Sequence, residues 1–253
     1  MRYNVLLLLS ILVISCINKS IENKGIVPSK TFISQEKRIN SRATKKTEIF
    51  SESETFIDSI KIAESRKYKI EITQSTIDTI TNVSFNLFVK KNDKWNKIQN
   101  YSIKKESDVP LITEIKDFNN DGLNDFTIHY STAGRGANDI RKLFVFSKKH
   151  EKFIEIKNSD LYPNLQYNNK LNCIDALSVY SGSTTTFLKL KADQLVEFAR
   201  VDVIDGNVDI YLIKNNKQIR LRSETYTGSN DEMIRFVNYD PLEEYDYTDS
   251  SDN

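Results

Sequence analysis

Short runs in which apolar and polar residues alternate recur along most of this chain, and they constrain its fold more than any other feature. The alternation is clearest in residues 68–73 and 83–90, where every second side chain is apolar. Successive side chains of a β-strand point to opposite faces, so this period predicts half-buried strands. Further strands are predicted at 95–103, 111–115, 126–130, 143–146, 153–156, 171–179, 185–190, 195–203, 208–213 and 218–221.

Turn-forming residues separate these runs, for example Asp205-Gly206-Asn207 between two of the later ones. Nothing in the same span predicts a long amphipathic helix. The chain is therefore predicted to be all-β, with an antiparallel sandwich or a partial propeller-like domain as the architecture. No internal repeat is strong enough to predict a full propeller.

The N-terminus has the pattern of an export signal. Arg2 precedes an apolar run from Val5 to Ile14, which matches a signal-peptide core and is too short to span a bilayer. The run ends in Val-Ile-Ser-Cys, which resembles the lipobox of bacterial lipoproteins. The resemblance implies cleavage before Cys16, acylation of that cysteine, palmitate included, and anchorage to a membrane of the bacterial envelope, at its periplasmic face or at the cell surface.

The composition divides the rest of the chain and excludes several classes of protein. We predict a signal peptide at 1–15, a flexible tether at 16–48, a β-rich domain at 49–239 and an acidic, solvated tail at 240–253. Lys and Arg number 36 against 35 Asp and Glu, so no overall positive field favours nucleic acid. Two cysteines and two histidines exclude a disulfide scaffold and a Cys/His zinc module. Cys173 is predicted to be buried and structural.

One loop has the spacing of a calcium site. Residues 117–125 place oxygen-bearing side chains at loop positions 1, 3, 5 and 9, a glycine at position 6 and a backbone carbonyl at position 7. Clustered carboxylates repel one another unless a hard cation neutralises them, and position 12 is Ile128 where an EF-hand has glutamate. The predicted cofactor is calcium, and its predicted ligands are Asp117, Asn119, Asp121, Leu123 and Asp125. An Asx-rich turn without metal is the alternative.

The pattern Asp-x-Asn-x-Asp-Gly-x-x-Asp, placed between two strands, resembles the calcium loops of FG-GAP repeats. With the Gly-containing loop 131–138 and the aromatic strand 143–146 that follow, the region resembles calcium-loop lysozyme-inhibitor-like envelope proteins, including those associated with type IV secretion systems. The resemblance implies a β domain that binds a protein partner, a lysozyme-like hydrolase, without being an enzyme. Its partner-binding residues would be Gly134, Arg135, Gly136, Ser181 and Gly182, although the Ser-Gly loop has no tyrosine at the expected later place.

Two other functions stay open at this stage. A metal-assisted hydrolase would use the loop at residues 117–125, here named the Asp loop, with a nearby general base, and His129 is four residues from Asp125. A calcium-stabilised adhesion or structural module would need only the closed loop. We predict that His129 lies at the surface or beside the ligands of the metal site, that His150 is solvated, and that there is no catalytic residue.

Overall fold

The structure is a computed structural model that describes residues 51–215, 217–227 and 233–245. Cys16, the signal peptide and the tether lie outside these described residues. Three larger antiparallel sheets and one two-stranded sheet make up the fold, and none closes into a barrel. The prediction of an all-β sandwich is confirmed. No helix of the described part is long and apolar enough to cross a membrane.

The first sheet has four strands in sequence order, and only one of its faces is buried. On β2 (Tyr68–Ile77) and β3 (Ile80–Lys91) buried and partly exposed residues alternate, which is the pattern that the sequence showed. Tyr101 on β4 contributes a ring that stacks on Phe85 with centroids 5.6 Å apart. The strands are β1 (Ser51–Asp58), β2 (Tyr68–Ile77), β3 (Ile80–Lys91) and β4 (Lys94–Lys104).

The second sheet lies between the first and the third, and side chains on both of its faces are buried. On its strand β7, Phe144 and Phe146 pack into the core shared with the first sheet. Leu143 and Val145, on the opposite face, pack into the core shared with the third sheet. This two-sided burial explains the unbroken apolar run Leu-Phe-Val-Phe, since neither face meets water. The strands are β5 (Thr113–Lys116), β6 (Asp125–Ala133), β7 (Asn138–Ser147) and β8 (Lys152–Glu155).

The third sheet has six strands, and each is hydrogen-bonded to the strand that precedes or follows it in the chain. Its outer face forms a third core, which the C-terminal segment covers with Ile234 and Phe236. The strands are β9 (Gln166–Asn168), β10 (Cys173–Val179), β11 (Gly182–Lys191), β12 (Gln194–Ile204), β13 (Asn207–Lys214), β14 (Lys217–Thr225), β15 (Phe236–Tyr239) and β16 (Leu242–Glu244). Two 3-10 turns occupy Gly134–Gly136 and Ser159–Leu161.

The folded part extends beyond the boundary predicted at residue 239. Strand β16 pairs with β15, and the hydroxyl of Tyr245 donates to Asp175 at 2.5 Å. Lys170 pairs with Glu243 on β16. These contacts hold the first residues of the segment predicted to be a solvated tail, because Leu242 packs against the third core. Residues 246–253 lie outside the described residues.

Candidate functional site

The loop from Asp117 to Asp125 joins β5 to β6 and folds around its own carboxylates. Asp117 accepts hydrogen bonds from the backbone N–H groups of Asp121 at 3.3 Å and Gly122 at 2.8 Å. Asp121 in turn accepts one from the N–H of Leu123 at 2.9 Å. Gly122 has a φ of +81°, which residues with a Cβ rarely adopt. The Asx residues and the glycine therefore build the tight turn that the spacing predicted.

Asp125 is fully buried and fastens this loop to the second sheet. Its two carboxylate oxygens accept the N–H groups of Phe118 and Phe146, each at 2.9 Å. Burial raises the pKa of Asp125 to about 7, and the negative charges of Asp121 and Asp117 add to the rise, while the two backbone donors oppose it. A buried carboxyl therefore sits at the point where the loop meets the ends of β6 and β7.

The same loop also contacts the first sheet. Asn124 and Ala63 form an isolated antiparallel bridge, with N···O distances of 2.9 and 3.0 Å. The side-chain amide of Asn124 donates to the carbonyl of Lys61 at 2.8 Å. The Asp loop therefore joins the connection between β1 and β2 to the second sheet, and its conformation is coupled to the packing of both sheets.

The loop matches a calcium site in donor type but not in arrangement. Carboxylate and amide oxygens are the ligands that calcium prefers, and each carboxylate oxygen has lone pairs beyond the one that a backbone N–H uses. Asn119 donates to Asp121 at 3.0 Å, so these side chains lie against each other. Within the described residues, however, no group of three Asp, Glu, His or Cys side chains is placed to hold a metal. The described side chains are directed at backbone amides instead.

The two loops predicted to bind a partner lie side by side. Asn138, just after Gly134–Gly136, donates its amide to the carbonyl of Val179 and accepts the N–H of the same residue, both at 2.8 Å. This pair joins the β6–β7 turn to the turn between β10 and β11. Arg135 is exposed and has a φ of +56°. Long-range packing therefore brings Arg135 and Ser181 to one end of the molecule.

Gly182 differs from the other members of this group because it is buried. A Cβ at this position would lie 2.2 Å from the carbonyl oxygen of Val203. Gly182 therefore allows β11 to pack closely against β12, and because it is buried it has no exposed surface that a partner could contact. Tyr180, which was not among the predicted residues, precedes Ser181, is 48% exposed and bonds Thr184 through its hydroxyl at 2.8 Å. The motif that the resemblance implies has its tyrosine after the Ser-Gly pair, whereas Tyr180 precedes that pair and lies in the turn between β10 and β11.

His129 lies in a polar cluster near the same turn. Its Nε2 is 3.0 Å from the hydroxyl of Thr132 and 3.4 Å from the carboxylate of Asp139, while its buried Nδ1 has no hydrogen-bond partner. Arg141 donates to the same Asp139 at 2.6 Å. Burial lowers the pKa of His129. In a nucleophile–histidine–carboxylate relay the nucleophile contacts one ring nitrogen and the carboxylate contacts the other. Here the hydroxyl of Thr132 and the carboxylate of Asp139 both lie beside Nε2, which is not the arrangement of such a relay. His150 lies in an exposed turn and bonds Ser147 at 2.9 Å.

Together the fold and this loop describe a layered antiparallel β sandwich with an Asx-rich turn at the junction of two sheets. No protein-family model matches the chain, and no curated protein matches it. A solved structure described as a Xanthomonas type IV secretion system related protein is similar with a TM-score of 0.43 and 12% sequence identity. The match covers 71% of this chain and 96% of that one. At this level of likeness the role of the Xanthomonas protein says nothing about the role of this chain.

Proposed function

We propose that this chain is a lipid-anchored, calcium-binding protein of the bacterial envelope that binds a protein partner and does not catalyse a reaction. The observation that carries the proposal is the position of the Asp loop. It joins the β1–β2 connection, through Asn124, to the end of β7, through Asp125. A cation held there would stabilise the junction of two sheets, which is a structural role.

The calcium ligands in this proposal are the side chains of Asp117, Asn119, Asp121 and Asp125 and the carbonyl of Leu123. A bound cation would neutralise the carboxylates, which otherwise repel one another across a tight turn. Calcium suits this oxygen-rich loop better than magnesium, because calcium accepts irregular geometry and more ligands. Binding requires Asn119 and Asp121 to turn their oxygens from their present partners toward a common centre.

The partner surface in this proposal is the end of the molecule formed by Arg135, Tyr180 and Ser181. All three are exposed on tight turns that rigid strands support, and Asn138 locks the two turns together. Aromatic and arginine side chains on such turns are frequent anchors at protein interfaces. A lysozyme-like hydrolase is the partner that the sequence resemblance implies.

The anchor in this proposal is acylated Cys16. The predicted tether of residues 16–48 has a root-mean-square length of about 30 Å if it behaves as a flexible coil, which gives the sandwich room to reach a partner. Replacing Cys16 by Ser should release the protein from membranes or leave the precursor unprocessed. Unchanged fractionation and unchanged mass would reject this part of the proposal.

Calorimetry of the protein in calcium and in EGTA tests the metal site. At a free calcium concentration ten times Kd, binding adds about 1.4 kcal/mol, and a domain of this size should melt about 3–6 °C higher. Asp121→Ala should remove that shift. Asp205→Ala, which changes an exposed aspartate in the β12–β13 turn, should keep it. If calcium shifts no variant, the loop is a hydrogen-bonded turn and the calcium proposal is wrong.

A titration with a purified lysozyme tests the partner. Tyr180→Ala and Arg135→Ala should weaken binding by about tenfold or more, in the range of interface anchors, whereas Lys217→Ala on β14 should not. Equal affinity of all variants would reject this surface. If the protein itself cleaves glycosidic, ester or phosphate substrates in a calcium-dependent way, the hydrolase alternative replaces the binding proposal.

A further inference from the structure

Three loops from the first and second sheets meet at the end of the molecule that contains the Asp loop. The backbone N–H of Lys90, at the end of β3, donates to the carbonyl of Lys67 at 2.9 Å. Tyr68 contacts Phe146 with ring centroids 4.9 Å apart, and its hydroxyl is 3.4 Å from Glu151 in the β7–β8 turn. These contacts place the β1–β2 connection, the β3–β4 turn and the β7–β8 turn beside one another.

The surface that these loops form, here named the basic end, is strongly positive. Apart from Asp117 and Asp121 of the bordering Asp loop, its acidic residues number five: Asp58, Glu64, Glu71, Asp93 and Glu151. Its basic residues number eleven: Lys61, Arg66, Lys67, Lys69, Lys90, Lys91, Lys94, Lys97, Lys148, Lys149 and Lys152. The whole chain has a formal charge of only +1, so the fold has gathered positive charge on this surface from separate parts of the sequence.

Few of these cations are neutralised by neighbours. The ion pairs found at the basic end among the described residues use only three of its bases, and they are Lys67–Glu64, Lys69–Glu71 and Lys90–Asp93. The remaining bases are exposed to solvent. The Asp loop borders this surface, and a calcium ion bound there would remove the nearest opposing charge. The basic end therefore attracts an anionic partner.

Apolar side chains are exposed among these lysines. Trp95, the only tryptophan of the chain, is 36% exposed, and the ammonium of Lys69 lies 5.7 Å from the centroid of its ring. Ile60 is 58% exposed in the β1–β2 connection, and Ile98 is 39% exposed on β4. Tryptophan flanked by long basic side chains is the composition found at the interface between lipid headgroups and hydrocarbon.

We propose that the basic end docks on an anionic phospholipid bilayer, as a second membrane contact beside the lipid anchor. The inference rests on the membrane anchorage proposed above. A polybasic surface adds to an acyl anchor by electrostatic attraction to the headgroups, while Trp95 and Ile60 enter the interfacial layer. A bilayer fits better than nucleic acid because ten of the eleven bases are lysines, which act as point charges and lack the bidentate fork of arginine.

The position of the chain's N-terminal side permits this orientation. Strand β1 starts at Ser51, opposite Ile77, and ends at Asp58, opposite Ile70 and close to the basic end. Seven residue steps along the strand separate these two points by about 23 Å. The predicted tether has a similar reach, about 30 Å. A lipid on Cys16 can therefore enter the same bilayer that the basic end contacts.

Vesicle binding by the mature chain from residue 16, with Cys16→Ser so that it has no lipid, tests the proposal. The vesicles contain phosphatidylcholine alone or with 30% phosphatidylglycerol, and both are used in EGTA and in calcium. We expect sedimentation with the anionic vesicles only, weakened by salt, and a blue shift of the Trp95 fluorescence. Because one lysine near such a surface contributes about fivefold in affinity, Lys91→Glu, Lys94→Glu and Lys149→Glu together should weaken binding by about 100-fold or more.

A matched control reverses three exposed bases on the third sheet, Lys214→Glu, Lys217→Glu and Arg220→Glu, and it should bind like the parent. Equal binding by the two triple variants, or an unchanged Trp95 spectrum, overturns the proposal. Binding of heparin or DNA with the same lysine dependence, but not of vesicles, would assign the surface to a soluble polyanion. The assay contains no lipid anchor and no protein partner, so its failure is distinct from failure of the calcium, anchoring or partner tests.

Discussion

Loss of Arg235 should destabilise this protein more than loss of any exposed arginine. Asp175 is fully buried and accepts the Nε of Arg235 at 2.8 Å, the amide of Asn168 at 2.9 Å and the hydroxyl of Tyr245 at 2.5 Å. Arg235→Ala leaves this carboxylate buried without its counter-charge. Removing one partner of a buried pair typically costs about 3–5 kcal/mol, which for a domain of this size lowers Tm by about 6–20 °C.

The matched control is Arg222→Ala, because Arg222 forms an exposed pair with Asp240 at 3.7 Å. Exposed pairs contribute about 0–1 kcal/mol, so this variant should unfold close to the parent in urea. The double variant Asp175→Asn with Arg235→Met removes both charges, and it should be more stable than Arg235→Ala alone. If Arg235→Ala and Arg222→Ala unfold at the same urea concentration, the C-terminal segment is not held by this pair and the reasoning is refuted.

Two further predictions concern buried titratable groups. Burial lowers the pKa of Lys105, whose ammonium donates to Gln74 at 2.6 Å and to the carbonyl of Val109 at 2.7 Å, to about 8 from an ordinary value of 10.5. Between these two pKa values the unfolded chain binds the proton and the folded chain does not, so the free energy of unfolding should rise from pH 8 toward pH 10. Lys105→Met should flatten that rise in urea titrations. An equally steep rise in the variant would assign the effect to other groups. Burial also raises the pKa of the Cys173 thiol to about 12. A thiol reagent at pH 8 should therefore label the Cys16→Ser protein only after unfolding, and rapid labelling of that native protein would show that Cys173 is accessible.

Strands whose two faces differ were predictable from sequence. The alternation in β2 and β3 arises because one face of these strands is exposed to solvent and the other is buried. Both strands lie at the positions predicted from the sequence. The Asp loop was predictable for the same local reason, since its turn is made by side chains bonding amides two to five residues away. Strand β1 was missed because it lies at a sheet edge and its sequence, Ser-Glu-Ser-Glu-Thr-Phe-Ile-Asp, is mostly polar.

The C-terminal strands were missed for a different reason. Their sequence is acidic near Glu243 and Glu244, which favours solvent, and their burial depends on a core that lies elsewhere in the chain. The bond between Arg235 and Asp175 joins residues sixty positions apart. The sequence around Arg235 does not indicate that Asp175 is its partner. Each charged residue has many possible partners of opposite charge at such a separation, and only the stacking of the sheets selects one.

The sequence by itself determined that the fold is built from β-strands and that a tight turn forms at the Asp loop, because each depends on neighbours only a few residues away. Tertiary structure decided which faces are covered, that Gly182 is a packing residue, that Tyr180 and Arg135 share one end, and that the bases around Trp95 gather at the other. A chain with almost equal numbers of acids and bases gives no sign of such a segregated surface. That surface exists because stacking two sheets brings three distant loops together, and the charge of a patch depends on proximity in space.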